Sequence, residues 1–246
     1  MTLPRPKRHE LGFADYPFFR SLSTELCQEI YNSSRVRQYN RREQIRGMTL
    51  RNGDAVHVLL NNGIAAEELV HHEATTLRFR YQGHCLGDSE VFTDSKPPLA
   101  IAVTKTVTMA VPLDVMRGLV RKHNTLMRTV STSMAERLRS NDRVYMMFAR
   151  APEQRLCELF IELIDKTGYP TREGTRVDGP SQNDLAQALM VSRATVENTL
   201  RSLRARQLVR TEYRAFVFPD VAALQKVASA VPPAVVAPTA GPRMTD

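Results

Sequence analysis

The sequence predicts an α+β protein: an N-terminal module of short strands, a long helix, and a C-terminal pair of short helices followed by a hairpin. Three observations carry this. Glycine-punctuated runs of alternating pattern fill the first half of the 246 residues, apolar residues recur at spacings of four and three between Met127 and Phe148, and Ser181 to Leu208 reads as two short amphipathic helices joined by a tight turn.

From about Phe13 to Pro112 the pattern is mostly strand, with helix expected only around Ser23 to Tyr31. Gly47, Gly53, Gly63, Gly83 and Gly87 punctuate runs such as AVHVLL, TTLRFRY and AIAVTKTVTMAV. Brief strands between glycine turns argue for a β-sandwich or rolled barrel. The divisions expected are a flexible N-terminus at 1–14, the β-module at 15–122, the long helix at 123–150, a winged helix-turn-helix at 151–220, and a short helix with a disordered Pro/Ala-rich tail at 221–246.

The segment after Pro112 is helical, with a break near His123 and Asn124. Along the helix that follows, Met127, Ser131, Met134, Leu138, Asn141, Tyr145 and Phe148 form one stripe. Such a stripe serves a partner helix or packing on the chain's own β-module. For a dimer, Met127, Met134, Leu138 and Tyr145 are the candidate contacts. A further helix, Pro152 to Lys166, carries Leu156, Leu159, Phe160 and Leu163 on one side, with Pro152 at its start and Gly168 past its end. The stretch TGYPTREGTRVDGP then reads as a loop.

Ser181 caps the next helix, with Asp184 three residues on in a variant of the capping box, and its apolar face runs Leu185, Ala186, Leu189. A second cap, Ser192, opens a helix that buries Ala194, Val196, Leu200 and Leu203. Only Met190 and Val191 lie between, so the helices cross steeply, as in a helix-turn-helix. The outward side holds Arg193, Thr195, Glu197, Asn198, Arg201 and Arg204, followed by Arg206 and Arg210. Arginine pairs bidentately with guanine and asparagine with adenine; the alternative is a solvated basic helix in an ordinary helical hairpin. Leu208 and Val209 read as one strand and Phe216 to Phe218 as a second, across a polar turn at Glu212 to Ala215. That hairpin is a wing whose Arg210, Tyr213 and Arg214 would meet phosphates, or serves as packing support only.

Composition agrees with an anionic partner, since the net charge is +8 and the pI about 9.7. With 42% hydrophobic residues the chain has material for a core, no apolar run is long enough for a membrane span, and MTLPRPKRHE lacks a signal-type apolar core. A cytoplasmic protein without a membrane partner is expected. Cys27, Cys85 and Cys157 are isolated and read as buried small hydrophobes. No catalytic or metal site is expected, because His57, His71, His72 and His84 lack a His-x-His pair with a downstream carboxylate and histidine.

The strings AVHVLLNNG, GHCLGDSEVF, SMAERLRS and above all LAQALMVSRATVENTLRSLRARQLV, in this order, resemble the Crp/Fnr family of bacterial transcription regulators from about Asp15 to Asp220. The resemblance implies a cyclic-nucleotide-binding-like β-roll (a double-stranded β-helix), a dimerisation helix and a winged helix-turn-helix. It implies a homodimer on palindromic double-stranded DNA that contacts RNA polymerase. It places Ser181, Gln182, Ser192, Arg193, Thr195, Asn198, Arg201 and Arg214 at the DNA.

The departures are as informative. Cyclic-AMP-binding members hold the ribose with a glycine and a glutamate and the phosphate with an Arg-Ser pair; here Gly87 and Asp88 fit the ribose end, while Pro98 and Leu99 stand in place of Arg-Ser. Losing one partner of a buried charge pair costs about 3 to 5 kcal/mol, so cyclic AMP is not expected, and the effector is unknown or absent. Asn141 and Asp142 replace a Thr-Ser pair on the long helix, Asn141 facing a base edge or its own dyad mate. No cofactor is implied: the cysteine cluster of iron-sulfur members is absent, and the haem-ligand positions fall on Gly87 and Ser89. Arg193, Ala194 and Asn198 stand where the best-known member has Arg-Glu-x-x-x-Arg, which implies a different operator. Met190 replaces a usual glycine and is strained if the turn needs positive φ. The alternative function is a sensor acting through a protein partner, with only nonspecific DNA binding.

Overall fold

Strand periodicity divides the N-terminal half between two antiparallel sheets. The structure, a computed structural model, describes residue 13 and residues 16–47, 55–71, 74–94, 98–147 and 149–230, the side chains at 71, 74 and 141–147 excepted. Expectations for residues 1–12, Gly53, His72 and 231–246, and for the side chains of Asn141, Asp142, Tyr145 and Phe148, lie outside the described residues. The strands are β1 (Arg35–Tyr39), β2 (Gln44–Arg46), β3 (Ala55–Leu59), β4 (Ala65–His71), β5 (Ala74–Arg80), β6 (Cys85–Leu86), β7 (Leu99–Ala102) and β8 (Thr106–Pro112). One sheet runs β1-β8-β3-β6 and the other β2-β7-β4-β5. The run AIAVTKTVTMAV is two strands, β7 and β8, and the chain changes sheet between them. This crossing rolls the module up.

Because successive strand residues point to opposite faces, each sheet sorts its side chains. Val56 and Val58 join the cluster beneath the helices, whereas Leu59 joins Tyr39, Ile45, Ala65, Leu86, Ala100 and Ala102 between the sheets. The cluster beneath the helices is covered by α1 (Thr24–Asn32), capped by Ser23, and by α2 (Leu113–Lys122). Extended backbone at His123 ends α2, and α3 (Asn124–Met147) begins with Leu126 and Val130 fully buried on the same core.

The C-terminal part comprises α4 (Pro152–Thr167), β9 (Tyr169–Thr171), β10 (Gly174–Asp178), α5 (Gln182–Leu189), α6 (Arg193–Ala205), β11 (Arg210–Glu212), β12 (Ala215–Phe218) and α7 (Val221–Ser229). Two sequence expectations are corrected here. The stretch TGYPTREGTRVDGP is a β-hairpin, which joins the wing in one sheet of order β11-β12-β10-β9. Gly174 makes its closure possible: at φ +126, a Cβ there would collide with the Phe218 carbonyl oxygen. Leu208 and Val209, expected as the first wing strand, lie before it. Gln207 takes a left-handed conformation (φ 58) and Leu208 N–H bonds the Leu203 carbonyl (2.9 Å), the backbone pattern that ends a helix, so the buried Leu208 anchors the end of α6.

The outer face of the β2-β7-β4-β5 sheet is partly covered by the C-terminal helices. Its residues Ile64, Ala66, Leu77, Phe79 and Ile101 share one core cluster with Leu156, Phe160 and Leu163 of α4 and Leu185 and Leu189 of α5. The winged domain is thus seated on the β-roll. All three cysteines are buried, and burial pushes the Cys157 thiol up to about 12. No helix among the described residues is long and apolar enough to cross a membrane.

Candidate nucleic-acid interface

The helix-turn-helix is held by reciprocal caps. Ser181 Oγ accepts from Asp184 N–H (3.2 Å), and the Asp184 carboxylate accepts from Ser181 N–H (2.7 Å) and from its hydroxyl (2.8 Å). Gln182, half-buried, opens α5 beside that cap. The helix ends at Met190, which is left-handed (φ 52, ψ 49), while Val191 N–H returns to Ala186 O (3.0 Å). The turn therefore does demand positive φ of a residue with a Cβ, at a cost of about 1 to 2 kcal/mol. Ser192 then caps α6 by accepting from Thr195 N–H (3.0 Å), and the two hydroxyls lie 2.8 Å apart.

On α6, Val196, Thr199, Leu200 and Leu203 are buried, while Arg193, Ala194, Asn198, Arg201 and Arg204 are exposed. Ala194 was expected on the buried face and is not. It lies two residues from Val196, roughly 200° around the helix, so both cannot face the core, and Thr199 takes the place instead. Thr195 is half-buried. Arg193 Nε pairs with Glu197 (2.9 Å) and Arg201 donates to Asn198 Oδ1 (3.0 Å). Such exposed helix pairs hold the side chains at only about 0.3 to 0.5 kcal/mol each, so a base edge displaces them readily.

At the tip of the wing, Tyr213 is 81% exposed, and the Arg214 guanidinium stacks 4.7 Å from its ring centroid. Arg210 is paired with Glu173 (3.0 Å), and Arg176 bridges Asp178 (2.9 Å) and Glu212. Arg204 reaches from α6 to Thr211 on the wing (3.1 Å), fixing one to the other. Helix face and wing tip thereby form one cationic surface.

Inside the β-roll, the residues at the ligand positions that the resemblance implies are already engaged. Gly87 (φ +85) lies so close to Arg46 that a Cβ would sit 2.6 Å from its Cζ. Asp88, 1% exposed, accepts from Arg137 of α3 (2.5 Å), Ser133 (3.2 Å) and its neighbour Ser89 N–H (3.0 Å). Glu67 accepts from Arg80 (2.5 Å), and Arg46 pairs with Glu90 (3.1 Å). Arg46, Arg80 and Arg137 thus balance Glu67, Asp88 and Glu90. Sequence reasoning missed this network, although charges inside alternating strands, such as Arg80 in TTLRFRY, were its visible signal. Pro98 and Leu99 are half-buried, Leu99 opening β7 opposite Glu68. His57 is fully buried with Nδ1 3.0 Å from Thr108 Oγ1, and burial, helped by Arg46, lowers its pKa to about 3. A cleft of 1530 Å³ opens between β-roll, α3, α4 and α5, with His84, Asp88, Ser133, Arg137, Glu158 and Leu189 among its walls.

Beyond its buried start, α3 exposes Met127 (40%) and Leu138 (63%), with Met134 half-buried.

Residues 154–227 match the family model of the Crp-like helix-turn-helix domain. No curated protein matches the chain in sequence. In fold it is similar to TTHB099, a transcriptional regulator of the CRP family from Thermus thermophilus, at 20% identity over 79% of this chain and 97% of that one, TM-score 0.67. It is also similar to FixK2 from Bradyrhizobium japonicum (15% identity, 81% and 99% covered, TM-score 0.66) and to the c-di-GMP responsive global regulator CLP of Xanthomonas campestris (14%, 80% and 100%, 0.67). At these identities the likeness establishes the fold.

Proposed function

Since the chain carries a Crp-like helix-turn-helix on the fold of the Crp/Fnr-type transcription regulators, we propose that it acts as a homodimeric, sequence-specific DNA-binding regulator whose β-roll does not take cyclic AMP. The observation that carries this is the exposed face of α6, where Arg193, Asn198, Arg201 and Arg204 stand clear of the core and continuous with the wing. Arg193 and Asn198 read base edges, guanine and adenine respectively, in the major groove. Ser181 and Gln182 at the amino end of α5, the Ser192 and Thr195 hydroxyls, Arg201 and Arg214 hold phosphates.

Two copies meet along α3 through Met127, Met134 and Leu138. The two α6 helices then reach successive major grooves, about 34 Å apart, on a palindromic duplex. Contact with RNA polymerase and a cytoplasmic location belong to the same reading. Against cyclic AMP stands the charge balance of the β-roll: each of Arg46, Arg80 and Arg137 already faces a carboxylate, so an anionic phosphate entering there would have to break a buried pair. The effector is another ligand or none.

The test is selection of bound duplexes from a random library, followed by titration of the Arg193→Ala variant at fixed salt. A palindrome should be enriched, and the variant should lose about 1 to 3 kcal/mol per half-site and relax its preference at one position. Failure to enrich any palindrome would favour instead a sensor acting through a protein partner.

A further inference from the structure

The turn joining β1 to β2 belongs to the N-terminal module yet lies against the winged domain. Its backbone is closed by Glu43 N–H on Asn40 O (3.0 Å) and Asn40 N–H on the Glu43 carboxylate (2.8 Å). Arg42 is pinned by its N–H on Ala102 O (2.7 Å) and held at φ 65, an unfavourable conformation for a residue with a Cβ. From this turn Arg42 Nη2 reaches within 2.7 Å of Asp184 Oδ1, an ion pair without hydrogen-bond alignment. Arg41 donates to Gly179 O (2.9 Å) and lies 3.9 Å from Asp184 Oδ2. Gly179 N–H in turn bonds the carbonyl of Arg214 at the wing tip (3.1 Å).

Two guanidinium groups, those of Arg41 and Arg42, therefore lie within 4 Å of a single fully buried carboxylate, and Arg214 is near enough for its charge to act on Arg41. With Glu43 in the same turn, Arg41, Arg42 and Arg214 outnumber the carboxylates of Glu43 and Asp184 by one, and the Arg42 side chain is 47% exposed. A surplus of this sign beside a wing tip matches a polyanion. We propose that the β1–β2 turn of the N-terminal module is part of the DNA interface, with Arg41 and Arg42 contacting the phosphate backbone next to Arg214. The proposal rests on the DNA-binding reading above and extends the protein surface that touches DNA beyond the winged domain.

The rival role is a clasp that only docks the winged domain on the β-roll. Arg42→Ala and Asp184→Asn separate the two, because the first removes a cation and the second removes its ion pair while leaving the cation and an acceptor for the Ser181 cap. Full-length proteins, checked for folding by circular dichroism, are titrated between 50 and 200 mM salt with the duplex selected by the wild type and with a scrambled duplex of equal length. For a dimer, Arg42→Ala should weaken both duplexes alike and lower the slope of log K against log salt by about 2, roughly 0.9 for each phosphate no longer neutralised. Arg42→Lys should restore the slope, and Asp184→Asn should bind at least as tightly as the wild type. Equal weakening by Arg42→Ala and Asp184→Asn at unchanged slope would identify a clasp and overturn the proposal, as would an Arg42→Ala variant that binds like the wild type. A wild type that binds neither duplex removes the DNA reading itself; one that binds both equally removes only its sequence specificity and leaves the slope comparison decisive.

Discussion

Replacing Glu90 by alanine should destabilise the fold by up to about 3 to 5 kcal/mol, the usual cost of removing one member of a buried ion pair. The magnitude follows from where its partner sits. Arg46 is 0% exposed and 3.1 Å from Glu90, itself 4% exposed. The guanidinium is packed beneath Gly87, so it has no path to solvent, and the neighbouring carboxylates of Glu67 and Asp88 are committed to Arg80 and Arg137. The double variant Arg46→Met, Glu90→Leu keeps the volume while removing both charges, and should recover most of the loss, since buried pairs exchanged for apolar residues are often neutral or stabilising. Urea unfolding followed by circular dichroism, at one fixed protein concentration because the stability of the proposed dimer depends on it, measures both. A Glu90→Ala variant within about 1 kcal/mol of the wild type, or a double variant no better than the single, would show that the Arg46–Glu90 pair is not the buried pair its geometry describes.

Three further outcomes follow from the same structure. His57 titrates at about 3 and His84 at about 4, both lowered chiefly by burial. Unfolded, each binds a proton below about pH 6.5, so stability should fall as pH drops from 6.5 toward those values, by at most about 1.4 kcal/mol per pH unit for each group; His57→Gln should flatten the slope, and a urea midpoint constant from pH 6.5 to 5 would contradict the assignment. Met190→Gly relieves the left-handed backbone at a residue whose side chain is 46% exposed, so after glycine's entropy cost a gain of about 0.5 to 1 kcal/mol is expected in thermal melts, whereas a loss would mean that the Met190 side chain packs more than it shows. On the proposed dimer along α3, Leu138→Arg, at a position 63% exposed, should leave the spectrum of the folded chain unchanged and yield monomers in sedimentation; a persistent dimer would place the dyad elsewhere.

The features legible in the sequence are those whose causes act within a few residues. Ser181 with Asp184 and Ser192 announce their helices because a cap is satisfied by a neighbour three positions away, and Pro152 announces α4 because its fixed φ and missing N–H suit the first helical position. The alternating runs declared strands, and hence the fold class, for the same reason. Misreadings arose where a local signal was ambiguous. Leu208 and Val209 look like a strand because they are apolar, yet they close the end of a helix. The hairpin β9–β10 looks like a loop because its first strand is three exposed residues with no alternation to detect.

Tertiary structure alone decided the rest. Arg137 meets Asp88 across 49 positions, and Arg41 meets Gly179 across 138. Neither pairing has a sequence signature, because it depends on which sheet face has apolar surface left to cover. Here the outer face of the β2-β7-β4-β5 sheet is partly covered by α4 and α5. Sequence determined the helix-turn-helix; burial of that one face determined that the β1–β2 turn lies beside the wing.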